Sequence, residues 1–119
     1  MLTVLAALAS AGTVQPMDMP VPAKRARAVT RGELIRSKDY PPESLRNGEH
    51  GTVRFQVIVG TNGRIAECRI LKSTGFPRLD EATCRAVTAR TRFSPARDAA
   101  GKRTRDAFTA EMTWALPPG

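Results

Sequence analysis

The stretch "TVRFQVIVGTNGRIAECRIL", residues 52–71, carries the clearest local pattern in the chain. In its first half every second residue is apolar, a period of two that is typical of a β-strand with one buried face. Asn62-Gly63 follows this strand, and the pair tolerates the positive φ angles of tight hairpin turns. The stretch therefore predicts an antiparallel hairpin over residues 51–73. The residues expected on the buried face of the first strand are Val53, Phe55, Val57 and Val59.

The second strand of this hairpin changes phase. Ile65 begins its apolar face, but Cys68 and Ile70 do not fall on the same alternation. One extra residue in a strand produces such a shift, so we predict a β-bulge near Ala66 or Glu67.

A helical pattern follows at "STGFPRLDEATCRAVTART", residues 73–91. Pro77 suits a first helical position, and Asp80 and Glu81 lie near the end where the helix dipole favours anions. Spacings of three and four residues then indicate a thin stripe of small side chains that packs closely on a sheet. The stripe consists of Leu79, Thr83, Ala86, Val87 and Arg90.

After a predicted loop at residues 92–102, "RTRDAFTAEMTWAL" at residues 103–116 alternates again and predicts a long third strand. If this strand pairs antiparallel with the first, the first strand becomes the centre of the sheet. The fold class is then α+β: a two-layer sandwich with a three-stranded antiparallel sheet and one helix packed on it. In this arrangement the third strand has one open edge.

The chain is predicted to divide into three parts. Residues 1–15, "MLTVLAALASAGTVQ", are too short for a membrane span of about 20 apolar residues, and they indicate either a signal peptide or a truncated membrane anchor. Residues 16–39 form a basic, proline-containing linker, and residues 40–119 form the folded domain. This domain starts with a short helical turn over residues 42–46.

Neither the charge nor the reactive side chains point to catalysis. The net charge is +8, but the basic residues are spread along the chain and the few aromatic residues fall at core positions, so no nucleic-acid partner is expected. A basic surface facing anionic lipid or an acidic partner fits the pattern better. His50 is the only histidine, and no metal-ligand or nucleophile motif accompanies it. We therefore expect no enzyme activity, no cofactor and no metal.

The two cysteines, Cys68 and Cys84, have four interpretations. A zinc site needs more ligands than the chain offers, and a redox pair usually has a two-residue gap. Two unrelated buried thiols fit a reducing compartment. If residues 1–15 are an export signal, the compartment is oxidising and a disulfide between Cys68 and Cys84 is expected.

Residues 40–116 resemble the C-terminal domain of the TonB family of energy transducers. The matching pieces occur in the family's order: "YPPESL" and "GTVRFQVIV", then "NGRIAECRILKSTG" and "LDEATCRAV", then "RFSPA", Gly101 and "FTAEMTW". The resemblance implies a non-enzymatic periplasmic module associated with the inner membrane, where the motor proteins ExbB and ExbD are expected partners. It also implies transport across the outer membrane, in which the domain grips a short segment of a TonB-dependent receptor.

That grip resembles strand addition at the open edge of the last strand. In this chain the expected partner-binding strand is Arg103, Thr104, Arg105, Asp106, Ala107, Phe108, Thr109, Ala110, Glu111, Met112 and Thr113. Two alternatives remain: an ordinary edge strand kept soluble by its charges, and a structural envelope protein that uses the same fold to associate with itself as a homodimer or with another periplasmic protein.

Overall fold

A computed structural model describes residues 19–29 and 37–117, and the predicted leader at residues 1–15 lies outside this part. Within it, a 3-10 turn at Ser37–Asp39 precedes the first helix. The elements are β1 (Arg27–Ala28), α1 (Pro42–Arg46), β2 (Gly51–Val59), β3 (Ile65–Lys72), α2 (Pro77–Arg90), β4 (Phe93–Ser94), β5 (Ala96–Arg97), β6 (Arg103–Thr104) and β7 (Asp106–Trp114).

The main sheet has the strand order β3-β2-β7, and both pairings are antiparallel. This confirms the predicted two-layer α+β fold with β2 at the centre. The predicted face of β2 is buried, since none of its four apolar residues is more than 3% exposed: Val53, Phe55, Val57 and Val59. Helix α2 covers this face with Leu79, Ala82 and Val87, which belong to the same buried cluster. Alternation and helical spacing are local signals, which is why the sequence revealed both layers.

The hairpin turn depends on Gly63. Its φ is +81°, and a Cβ added there would lie 2.2 Å from the backbone oxygen of Phe93. The Phe93 N–H also donates to the Gly63 carbonyl at 2.9 Å. A side chain at this position would therefore force the turn away from β4, in addition to straining its own backbone.

Strand β3 contains the predicted bulge and a second one. Ile65 pairs with Val59 of β2, and Glu67 pairs with the neighbouring Ile58. Ala66 is therefore the extra residue. The same happens between Ile70 and Lys72, where Leu71 is extra. The edge strand on this side of the sheet is therefore irregular at both ends.

The third strand is shorter than predicted, and this corrects the expected range of residues 103–116. Strand β7 begins at Asp106, whereas Arg103–Thr104 forms β6 and pairs with β5 at Ala96–Arg97. The predicted loop at residues 92–102 likewise contains β4 and β5. Alternation shows which face a residue occupies but not which strand it pairs with, so the change of partner at Arg105 left no mark in the pattern.

Residues 24–29, which we call the strap, lie inside the predicted linker and pair with the folded domain. Arg27 lies opposite Ser94 and Ala28 opposite Phe93 in the β1–β4 pair. Lys24 exchanges two backbone hydrogen bonds of 2.9 Å with Arg97. The division at residue 40 between linker and domain remains a prediction, with the strap as ordered structure before it.

Both edge strands are tied to α2. On one side Cys68 of β3 and Cys84 of α2 form the predicted disulfide bond, with their Cα atoms 5.8 Å apart. On the other side the indole Nε1 of Trp114, at the end of β7, donates to Thr83 Oγ1 of α2 at 2.8 Å. One link is covalent and the other is a single buried hydrogen bond.

Candidate functional site

The open side of β7 is the feature that the topology offers for binding. The strand pairs with β2 along its whole length, Asp106–Trp114, with no register shift. No strand among the described residues pairs with its other side. An unpaired edge presents backbone donors and acceptors that a further strand can use.

The first position on this open side is already occupied. The N–H of Ala107 donates to Asp106 Oδ1 at 2.8 Å, and its carbonyl accepts from Nη2 of Arg25 at 3.0 Å. Neither partner belongs to β2, which spans Gly51–Val59. We therefore assign the backbone of Ala107 to the open side. Arg25, in the strap, thus closes this position.

The carboxylate of Asp106 holds the strap in place. This side chain is buried, and it accepts from the Nε of Arg25 at 3.0 Å and from the N–H of Ala26 at 2.8 Å. The guanidinium lies half in solvent, with 46% of the Arg25 side chain exposed. A buried carboxylate needs such donors, since leaving it unpaired would carry a large desolvation penalty.

The position of Ala107 fixes which other residues face the open side. The N–H and C=O of one residue in a strand point to the same side, and successive residues alternate. With no register shift after Ala107, the outward backbone groups belong to Thr109, Glu111 and Thr113. We call residues 108–113 the free edge, because it begins after the position that Arg25 closes.

The side chains of the free edge divide between the two faces of the sheet. Phe108, Ala110 and Met112 lie on the helix side and pack partly against the core. Thr109 and Thr113 lie on the other side, where they contact Gln56 at 3.4 Å and Thr52 at 2.9 Å. Glu111 is exposed on the same side. The free edge therefore has one apolar face and one polar face.

The structure separates the eleven residues predicted as the partner-binding strand into three groups. Arg103 and Thr104 use their backbone in β6, and Asp106 and Ala107 are engaged with the strap. Arg105 lies between β6 and β7 and belongs to none of these groups. The third group, residues 108–113, forms the free edge, and its role in binding remains a prediction. Arg25 was missed, because a contact between residues 81 apart in sequence leaves no local signal.

Nothing in the described part of the chain resembles a catalytic or metal centre. His50 is exposed, with Nδ1 3.0 Å from the Gly48 carbonyl oxygen. Residues 19–29 and 37–117 contain no group of three His, Cys, Asp or Glu side chains that could hold a metal ion. In the same residues no helix has the length and apolar character needed to cross a membrane.

Comparison with known proteins identifies the fold and the family. The family described as "Gram-negative bacterial TonB protein C-terminal" matches residues 36–116. The chain belongs to the TonB C-terminal domain family. This is a family of non-enzymatic energy-transducing and protein-interaction domains, whose members belong to the bacterial envelope.

Individual TonB proteins are similar over a shorter stretch. Protein TonB of Neisseria meningitidis serogroup C is 45% identical over 48 residues, and that of Neisseria gonorrhoeae is 40% identical over 48 residues. These matches cover 40% of this chain but only 17% of each TonB protein. The solution structure of the Pseudomonas aeruginosa TonB C-terminal domain superposes with a TM-score of 0.57 at 17% identity, over 79% of this chain and 89% of that one. This last match shows a shared fold.

Proposed function

We propose that the chain is a periplasmic TonB-type module that binds a segment of an outer-membrane TonB-dependent receptor by adding it as a strand to the free edge of β7. The observation that carries the proposal is the regular run of outward backbone groups at Thr109, Glu111 and Thr113. An extended peptide can bond to these groups whatever its side chains are. Membership of the TonB C-terminal family supports a receptor as the partner.

The disulfide supports the proposed location. Disulfide bonds persist in oxidising compartments such as the bacterial periplasm and are rare in the cytosol. The bond between Cys68 and Cys84 joins a surface strand to α2, where closing the loop between them contributes to stability. Coupling to the inner-membrane motor proteins ExbB and ExbD is part of the proposal, with family membership as its support.

Calorimetric titration of the full chain tests receptor binding. The probes are overlapping synthetic peptides that span the periplasm-facing segments of outer-membrane TonB-dependent receptors, with scrambled peptides as controls. We expect saturable binding of at least one receptor peptide to the wild-type chain.

Two variants at one position separate strand addition from other modes of binding. Glu111→Pro removes an outward N–H, whereas Glu111→Ala keeps the N–H and removes only the side chain. We expect Glu111→Pro to lower the affinity for the receptor peptide at least about tenfold, and we expect Glu111→Ala to bind the peptide as tightly as the wild type does. Failure of every receptor peptide to bind, or equal binding by Glu111→Pro, would exclude the proposal. Concentration-dependent self-association without peptide, lost in Glu111→Pro, would favour the homodimeric envelope protein instead.

A further inference from the structure

An apolar cavity lies beside the free edge on the helix side of the sheet. Its volume is about 180 Å³, and its accessible lining is wholly apolar. Two of its walls are the aromatic rings of Phe93 and Phe108, which pack edge to face with their ring centroids 5.2 Å apart. The lining also includes Ala28 of the strap, Thr91 and Ala110.

The size of this cavity sets the kind of group that it can hold. A dry cavity of about 150 Å³ lined by aliphatic and aromatic side chains accepts a molecule such as benzene. The cavity beside β7 therefore has room for one Leu, Ile, Met or Phe side chain. Its lack of accessible polar surface disfavours a charged or strongly hydrated group.

One buried hydroxyl in the wall of the cavity lacks the hydrogen bond that a buried hydroxyl usually makes. Thr91 lines the cavity and is 3% exposed, and its Oγ1 has no hydrogen-bond partner among the described residues. Buried polar atoms without a partner are uncommon in native proteins. Thr83, eight residues earlier on α2, shows the ordinary case, since its hydroxyl donates to the Leu79 carbonyl and accepts from Trp114.

The cavity lies where an added strand would place a side chain. Residues directly opposite each other in neighbouring strands point to the same face, with Cβ atoms about 5 Å apart. A residue added opposite Ala110 would therefore lie on the helix side, next to two lining residues of β7. Because Ala110 is small and stands between Phe108 and Met112, it leaves a gap toward the cavity.

The strap completes the cavity and limits the register. Ala28 forms a wall, and it belongs to residues that precede the family match at 36–116. Arg25 donates a hydrogen bond to the carbonyl of Ala107, so this carbonyl is not open to an added strand. The first position of β7 that can bond to the added strand is therefore Thr109. A fixed start means that one defined position of the bound segment faces the cavity.

We propose that this cavity is a specificity pocket that takes one large apolar side chain of the bound receptor segment, with the strap as its outer wall. The proposal rests on the function proposed above and adds the class of residue that the segment must carry. Backbone bonds along β7 provide binding to any extended segment, and the cavity selects among segments.

Substitution of the bound peptide tests the pocket. Each residue of the best-binding receptor peptide is replaced in turn by Ala and titrated into the full chain. We expect one large apolar position at which Ala weakens binding about tenfold or more, the loss that corresponds to leaving such a side chain unburied.

Two chain variants fill the cavity from opposite sides. Ala110→Leu adds volume from β7 and Ala28→Leu adds it from the strap, so one remains informative if the other fails to fold. In both variants we expect the parent peptide and its Ala-substituted form to bind within about twofold of each other. Ala66→Leu, the same substitution at an exposed position of β3 on the opposite edge of the sheet, is the control and keeps the apolar requirement.

The outcomes separate this inference from the proposed function. Peptide binding that Glu111→Pro abolishes, but that needs no large apolar residue, overturns the pocket and leaves strand addition standing. If both cavity-filling variants still need a large apolar residue in the peptide, the pocket is likewise overturned and strand addition still stands. Absence of any peptide binding overturns the proposed function and the pocket with it.

Discussion

The two edges of the main sheet, β3 and β7, are built differently. Strand β3 has extra residues at Ala66 and Leu71, and the disulfide at Cys68 fixes it to α2. Strand β7 pairs with β2 over nine consecutive residues without a shift. Bulges bend and twist an edge so that another strand pairs with it poorly, whereas a regular edge remains a template. The comparison supports β7 as the proposed binding edge and assigns β3 a stabilising role.

The largest expected effect comes from proline at neighbouring positions of β7. The backbone of Ala110 faces β2, where it lies opposite Phe55, and the backbone of Glu111 faces the open side. Ala110→Pro should therefore lower the free energy of unfolding by more than about 3 kcal/mol, because it breaks the ladder and leaves a buried acceptor unpaired. Glu111→Pro should lower the free energy of unfolding by less than about 1 kcal/mol, because the N–H of Glu111 makes no bond to β2. Urea unfolding of both variants checks this, and equal losses would show that the assigned alternation of β7 is wrong.

Removing the disulfide should weaken the β3 side and leave the free edge unchanged. The double variant Cys68→Ser, Cys84→Ser should lose about 3 kcal/mol, as expected for a closed loop of this length. Its affinity for a receptor peptide, measured where the variant is still folded, should match that of the wild type. The matched control is the wild-type chain after reduction. A loss of affinity without unfolding would mean that β3 also takes part in binding.

Most of the fold could be predicted from local patterns. The hairpin, α2 and the bulge at Ala66 each leave a mark within a few residues, since a period or its change of phase is visible there. The second bulge, at Leu71, occurs where the apolar run Ile70-Leu71 hides any change of phase. The break between β6 and β7 is hidden in the same way by continued alternation.

The candidate site was only partly predictable, for a different reason. An open edge on the last strand follows from the order of the elements, so it could be expected. Arg25 and Ala28 could not, because they reach β7 and β4 across more than 60 residues of chain. Nothing in "AKRARAV" distinguishes Arg25, which meets a buried carboxylate, from its solvated basic neighbours.

The link that ties β7 to α2 can be tested with two buried threonines. Thr83→Val leaves the indole N–H of Trp114 without an acceptor and should lower the free energy of unfolding by about 2 kcal/mol. Thr91→Val, the matched control, removes a hydroxyl that has no hydrogen-bond partner in the described part of the chain, and it should be neutral or stabilising. Thermal unfolding distinguishes the two. Equal destabilisation would indicate that Thr91 makes a bond in solution.

The smallest expected effect is a pH dependence of the free energy of unfolding, which arises at the connection between β3 and α2. Burial raises the pKa of Asp80, but hydrogen bonds from Ser73 and Thr74 outweigh it and hold the pKa below its usual value of 3.8. A carboxyl with a lowered pKa in the folded state stabilises above about pH 4, and this contribution is lost as the pH falls through the folded-state pKa. Asp80→Asn should therefore cost about 1 kcal/mol at pH 7, and the difference from the wild type should shrink below about pH 4. A difference that does not change with pH would show that charge is not involved.

Amide hydrogen exchange of the full chain, with and without a bound receptor peptide, tests the central claim most directly. Phe108, Ala110 and Met112 should exchange slowly in the free protein, because their N–H groups face β2. We predict that the peptide slows exchange at Thr109, Glu111 and Thr113 and leaves the amides of β3 unchanged. A bound peptide that slows exchange along β3, or that leaves these three amides of β7 unprotected, would contradict the assignment of β7 as the binding edge.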